Sequence, residues 1–138
     1  MEMNRNQQHY IIMTVIYDEL NDFVLGGGKT FRDARDMISE LCETPYDLVD
    51  DFIKSSVANA LNNYGAIIDA FTPLLKNWTW DRLPLLTQAI LLMSYAHFYY
   101  VEKVDKKVVI NIAVDLAKKY VDEKQAKFIN AILDGALK

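Results

Sequence analysis

The chain has 138 residues and a formal net charge of -4 at pH 7, with 51% apolar and 25% charged residues. That length supports one domain, residues 1–138, whose core needs no metal or disulfide, and the composition excludes a largely disordered chain. Five glycines and three prolines are too few punctuators for a many-stranded all-β protein, so the expected fold class is all-α, about seven helices in one compact domain.

A first helix is expected over residues 4–23, because Ile12, Val15, Ile16 and Leu20 keep helical spacing with Tyr17 beside them. Residues 21–29 break it, and Gly26, Gly27 and Gly28 form a connection. A phosphate loop is a poor reading of that triplet, since no strand precedes it and Gly28-Lys29-Thr30 lacks the first glycine at the required distance. Residues 30–41 place Phe31, Ala34, Met37, Ile38 and Leu41 on one side of a second helix, with Thr30 as N-cap and Asp33 as the capping-box acid.

Thr44-Pro45 reads as a cap followed by a first-turn proline, opening a third helix that Leu48, Val49, Phe52, Ile53 and Ser56 carry into Val57, Ala60 and Leu61. Asn62-Asn63 either interrupts that helix or sits exposed within it. Ile67, Ile68, Phe71, Leu74 and Leu75 make a further short amphipathic piece, with Pro73 marking a kink or an early break before the pattern dies out at residues 77–81.

Residues 83–101 form the longest uncharged run. It is long enough to cross a bilayer but contains Pro84, Thr87, Gln88, Ser94 and His97, which favours a buried central helix around which the others pack. Burial of Leu86, Ile90, Met93 and Phe98 would each contribute roughly 1.5 to 3 kcal/mol before entropy is charged. Tyr95, Phe98, Tyr99 and Tyr100 read as core and interface residues rather than a base-stacking platform. Within residues 106–134, Val109, Ile112, Ala113, Leu116, Ala117 and Tyr120 make an amphipathic helix, residues 121–125 a polar connection, and Ile129, Ile132, Leu133, Ala136 and Leu137 a last helix packed beside it.

Charge is unevenly spread. Residues 17–53 hold ten acids against three bases, whereas residues 103–128 hold seven lysines against four acids, so a polyanion would be drawn to the second region. The same lysines also fit a plain solvated helix face. No catalytic constellation emerges. The pairs Asp33/Asp36 and Asp50/Asp51 lie on helices with apolar opposite faces, and Cys42 has no histidine near it in sequence. His97, one turn from Met93 and Val101, reads as a core histidine bonded to a neighbour. His9 and His97 alone cannot build a Cys/His zinc site, and no metal or other cofactor is expected. The lone Cys42 fits a reducing cytoplasm, and residues 1–8 do not read as a secretory signal.

The last third also carries a family resemblance. Val108-Val109-Ile110-Asn111, Ala113 to Lys118, Lys127-Phe128-Ile129-Asn130 and Ile132-Leu133-Asp134, with Leu74 to Trp78, Arg82-Leu83 and Ala89-Ile90-Leu91 upstream, resemble the bacterial transcription antitermination factor NusB family. The likeness is good over residues 70–134 and loose before them. It implies two small helical bundles and a non-catalytic RNA-binding adaptor. Such a protein joins the ribosomal protein NusE on boxA-type single-stranded RNA of rRNA transcripts, within the RNA polymerase antitermination complex.

On that resemblance the RNA-binding residues are Arg5, Asn6, His9, Lys124, Lys127 and Phe128. Lys127 would hold phosphate, and Phe128 would stack a base or sit in the core, since Ile132 is one turn on. The family's arginine-rich opening is here Arg5, Asn6, Gln7 and His9, which implies weaker binding and a shallower salt slope. Thr87 and Gln88, the partner-binding positions, stand where relatives carry an acid and a base, and His97 where an acid is common, which implies a rewired or more apolar NusE contact. A second reading is a NusB-fold interaction module or homodimer with reduced RNA binding. A third, part of an rRNA cytosine methyltransferase, would require a βαβ segment that residues 1–138 lack.

Overall fold

The computed structural model describes residues 3–27, 31 and 33–138. Helix α1 (Arg5–Leu25) begins where periodicity places it: the Asn4 side chain accepts from the Gln7 N–H and the Gln7 side chain accepts from the Asn4 N–H, both at 2.9 Å. This reciprocal cap satisfies two orphan donors of the first turn. The stripe Ile12, Val15, Ile16 and Leu20 is completely buried.

Helix α2 (Arg35–Cys42) starts later than the apolar spacing suggests. The proposed cap Thr30 lies outside the described residues. Asp33 is not a capping-box acid; its carboxylate accepts from the Arg35 N–H and grips the Arg35 guanidinium, fixing the chain just ahead of the helix. Thr44-Pro45 does not cap the third helix either. Pro45 is extended and leads into a single 3-10 turn, Tyr46–Leu48, and Asp50 is the cap, its side chain accepting from Phe52 N–H at 2.8 Å ahead of α3 (Asp51–Asn62). Leu48, placed on the apolar face by spacing, is instead 75% exposed because it belongs to that turn.

The Asn62-Asn63 pair interrupts the helix. Asn63 N–H and side-chain amide both donate to Asn59 O, closing α3 before α4 (Tyr64–Phe71) starts. Pro73 then falls in a 3-10 turn, Thr72–Leu74, that ends the segment. After another 3-10 turn, Trp80–Arg82, comes α5 (Leu85–Ala96), continued as a π-turn over His97–Val101.

Helix α5 is the axis of the molecule. It packs against α1, α3 and α4 on one side, and on the other against α6 (Lys106–Tyr120) and α7 (Glu123–Ala136). Ala89, Ile90, Leu91, Leu92 and Ala96 are wholly buried, so this helix is shared by an N-terminal bundle and a C-terminal one. Leu86 and Phe98 are only half-buried, and Tyr99 and Tyr100 are exposed. The α6–α7 pair shares the most extensive contact of any two described helices, as expected of neighbours joined by so short a link. That link is only residues 121–122: Asp122 caps α7 by accepting from Gln125 N–H at 2.7 Å. Lys124 therefore sits in the first turn of α7 rather than in a loop. No described helix is long and apolar enough to cross a membrane.

Candidate nucleic-acid interface

The opening of α7 faces the irregular segment between α4 and α5. Lys124 and Lys127 are exposed, Phe128 is half-buried, and Trp78, 45% exposed, stands across from them. Trp78 and Phe128 both line a small recess with Leu83, Lys124 and Gln125, and both also line an open groove of about 430 Å³. Pro73, Leu74, Lys76, Asn77, Ala131 and Ile132 complete that groove. Two aromatic rings in recesses that Lys124 and Lys76 also line offer flat faces for unpaired bases and charge for the backbone beside them. Lys127 lines neither recess. Trp78 carried no functional reading in the sequence, because its chain neighbours have no periodicity to show which way it turns.

Thr87 and Gln88 are buried, at 0% and 4% exposure, and offer no surface to a partner. Thr87 Oγ1 donates to Gln125 Oε1 at 2.9 Å, tying α5 to the first turn of α7. Gln88 Nε2 donates to the carbonyls of Trp80 and Leu83 at 3.1 and 3.0 Å, fixing the turn that follows Trp78. These residues hold the two sides of the groove from beneath. A buried amide with both donors satisfied is a structural element, and moving it outward would take from Leu83 O its side-chain donor and leave Trp80 O with the Leu83 N–H alone.

The opening of α1 forms a separate cluster. The Arg5 guanidinium lies 3.7 Å from the centroid of the Phe52 ring and donates to Glu102 at 2.9 Å. Glu102 also meets His97 Nε2 at 2.7 Å, so the buried His97 has the neighbour expected of a core histidine. Hydrogen bonding from Arg5, and after it from His97, holds the Glu102 carboxyl below its usual range. His9 is buried too, edge-on to Phe52 and 6.1 Å from His97. Burial first, and then the neighbouring His97 and Arg5, lower its pKa from 6.5 to about 4, so it is neutral at pH 7. Of the three residues read as RNA-binding here, Asn6 is exposed and uncommitted, Arg5 is exposed but paired, and His9 is interior.

Two bundles sharing a central helix, with lysines and rings gathered where the last helix begins, make this an all-helical two-bundle protein. The chain belongs to the NusB family, whose model matches residues 19–138. It is similar to the transcription antitermination protein NusB of Finegoldia magna, 33% identical over 140 residues that cover 99% of this chain and 95% of that one. The NusB of Clostridium botulinum strain Kyoto is 30% identical over 95% of this chain and 97% of its own. Among solved structures, T. maritima NusB superposes with a TM-score of 0.79 at 18% identity, covering 99% of this chain and 92% of that one. A crystal structure of antitermination factors NusB and NusE in complex with dsRNA gives 0.73 at 23% identity, over 96% and 94% of the two chains.

Proposed function

We propose that this protein is a non-catalytic transcription antitermination factor that binds boxA-type single-stranded RNA in rRNA transcripts together with the ribosomal protein NusE, as part of an RNA polymerase antitermination complex. The observation that carries the reading is the adjoining recess and groove that share Trp78 and Phe128, with Lys124 on the recess and Lys76 on the groove, which pair stacking surfaces with phosphate-seeking charge. Family membership and the fold shared with a NusB–NusE–RNA complex support it.

The test is a titration of boxA-like RNA with and without NusE at two salt concentrations, using the wild type, Lys124→Glu and Lys127→Glu. Binding that weakens in both variants, with a shallower salt slope, supports the reading. Wild-type protein that binds no RNA in either setting overturns it.

A second reading has its own support: Arg5 is engaged by Glu102 and His9 is interior, so the α1 opening keeps little free positive charge. On that reading the chain is an interaction module or homodimer with reduced RNA binding. Sedimentation showing a tight dimer with RNA affinity near the nonspecific level would favour it.

A further inference from the structure

The turn between α2 and α3 presents an apolar side chain to solvent in an acidic setting. Residues 33–54 hold seven acids against two bases, and both bases are already paired within the stretch, Arg35 with Asp33 and Lys54 with Asp51 at 3.5 Å. Glu40, Glu43 and Asp47 are exposed and enter no ion pair among the described residues. Leu48 stands among them with most of its side chain in water. The backbone fixes it there: Leu48 N–H donates to Pro45 O at 2.9 Å, Val49 N–H to Tyr46 O at 3.1 Å, and Val49 is buried as an anchor. Ser39 Oγ donates to Thr44 O at 2.6 Å and Thr44 Oγ1 to Cys42 O at 2.9 Å, tying the end of α2 to the chain that leaves it. A surface held in place this way loses little freedom when a partner covers it.

Two hollows flank the turn. A pocket of about 340 Å³ has Leu48, Val49, Asp50, Cys42 and Thr44 in its wall. On the side of Tyr46 runs a groove of about 480 Å³, floored by the buried Ile38 and Val57. The smaller pocket sets an aliphatic rim beside a carboxylate and a hydroxyl. Asp50 Oδ1 caps α3 by accepting from Phe52 N–H, and among the described residues its other oxygen is left for a further donor. A long basic side chain matches that wall, with methylenes against Leu48 and its charged head at Asp50. A purely apolar anchor would strip water from the carboxylate without replacing it, and a phosphate would be repelled by the surrounding acids. Charge complementarity therefore selects a cationic occupant.

We propose that this face docks an arginine- or lysine-rich segment of a protein partner, one basic side chain entering the pocket beside Leu48 toward Asp50 and others meeting Glu43 and Asp47. The docking face does not depend on the RNA-binding reading. Helices α2 and α3 belong to the N-terminal bundle, whereas the Trp78–Phe128 groove is built by α7 and the segment before α5, so a partner seated here leaves that groove open. Glu43 gives a further handle: its φ of 52° is a left-handed conformation that glycine adopts with less strain, so binding and stability should respond in opposite directions to its replacement by glycine.

The experiment titrates a labelled peptide made of arginine and leucine into the full chain at two salt concentrations, with a glutamate–leucine peptide as control, and maps the contact by backbone amide chemical shifts. The wild type should bind the arginine–leucine peptide and not the control, more weakly at high salt, with shifts centred on residues 40–51. Leu48→Ser should melt like the wild type, because its side chain is mostly in solvent, and should weaken binding about 5- to 30-fold, as truncation of a central contact does. Glu43→Gly should raise the melting temperature and yet weaken binding. The double variant Glu43→Lys, Asp47→Lys should weaken binding and flatten its salt dependence. Equal binding by the wild type and Leu48→Ser overturns the proposal, as do shifts centred elsewhere or a wild type that does not distinguish the two peptides. Sedimentation showing self-association of the wild type that Leu48→Ser abolishes also overturns it, and makes the face a contact between copies of this chain.

Discussion

Arg5 and Glu102 are 97 positions apart in sequence and are joined by two hydrogen bonds, Nη1 to Oε2 at 2.9 Å and Nη2 to Oε1 at 3.4 Å. The pair closes the start of α1 against the segment that follows α5. Both side chains are partly exposed, so the bridge stabilises the fold by about 1 kcal/mol or less. Its larger effect is on charge: it neutralises the one arginine in the α1 opening. Glu102→Gln should therefore cost little in a melt, while freeing Arg5 for phosphate. The RNA titration should show higher affinity, and its log–log salt slope should steepen by about 0.7. An unchanged slope would mean that Arg5 lies off the path of the RNA.

Acid should loosen the same corner of the protein. The His9 pKa lies near 4 in the fold against an ordinary 6.5, so protonation is penalised in the folded state. Above 6.5 both states are neutral and the full stability is present; as pH falls from 6.5 toward 4, the unfolded chain takes up its proton first and stability drains away. Glu102, held below its usual 4.5, adds a further loss at still lower pH as its carboxylate is neutralised. The groups acting on His9 are His97, Arg5 and Glu102, with Asp115 and Lys119 across the cleft between α1 and α6. Urea unfolding should show a loss of about 1 to 2 kcal/mol between pH 7 and pH 5. His9→Gln should flatten that dependence.

Gln88 and Thr87 give a contrasting pair. Gln88→Leu removes the donor to Leu83 O and one of the two donors to Trp80 O, which keeps the Leu83 N–H, and should destabilise the fold by about 1 to 3 kcal/mol in chemical unfolding. Thr87→Val preserves shape and loses one bond, to Gln125, for about 1 kcal/mol. Both changes should also reduce RNA affinity, because these three bonds fix opposite sides of the Trp78–Phe128 groove. A loss of NusE binding with stability intact would instead place these side chains at a partner surface.

Periodicity recovers what depends on neighbours along the chain. The stripes of α1, α6 and α7 and the uncharged run of α5 are buried where spacing puts them, because a long helix repeats its signal over several turns. The starts of α2 and α3 were harder to read. Spacing reads Thr44-Pro45 as the cap of α3, whereas Asp50 caps it, because Leu48 belongs to a separate exposed turn and its burial is decided by tertiary partners. The site residues divide in the same way. Lys124 and Phe128 come from the family resemblance, and spacing puts Lys124 in the connection, which the structure shortens to residues 121–122. Thr87 is bonded to a residue 38 positions away, and no local pattern shows that its hydroxyl turns inward. Trp78 gains its meaning only from what the fold sets opposite it.

Trp78 and Phe128 provide the most direct optical test of the groove. The chain has two tryptophans, and Trp80 is buried with its ring stacked at 5.9 Å on Phe71, so a ligand in the groove reports through Trp78. Addition of boxA-like RNA should quench tryptophan emission in the wild type, and Trp78→Phe should abolish most of that change while keeping a ring to stack on. Trp78→Ala removes the ring altogether and should weaken binding about 5- to 150-fold with a small effect on melting, because nearly half of the side chain is already in solvent. Phe128→Ala should weaken binding similarly but also cost about 1 to 2 kcal/mol of stability, since its half-buried ring packs against the core. RNA bound at wild-type affinity by both alanine variants would remove the groove from the binding path and leave the lysines of α7 to act by charge alone.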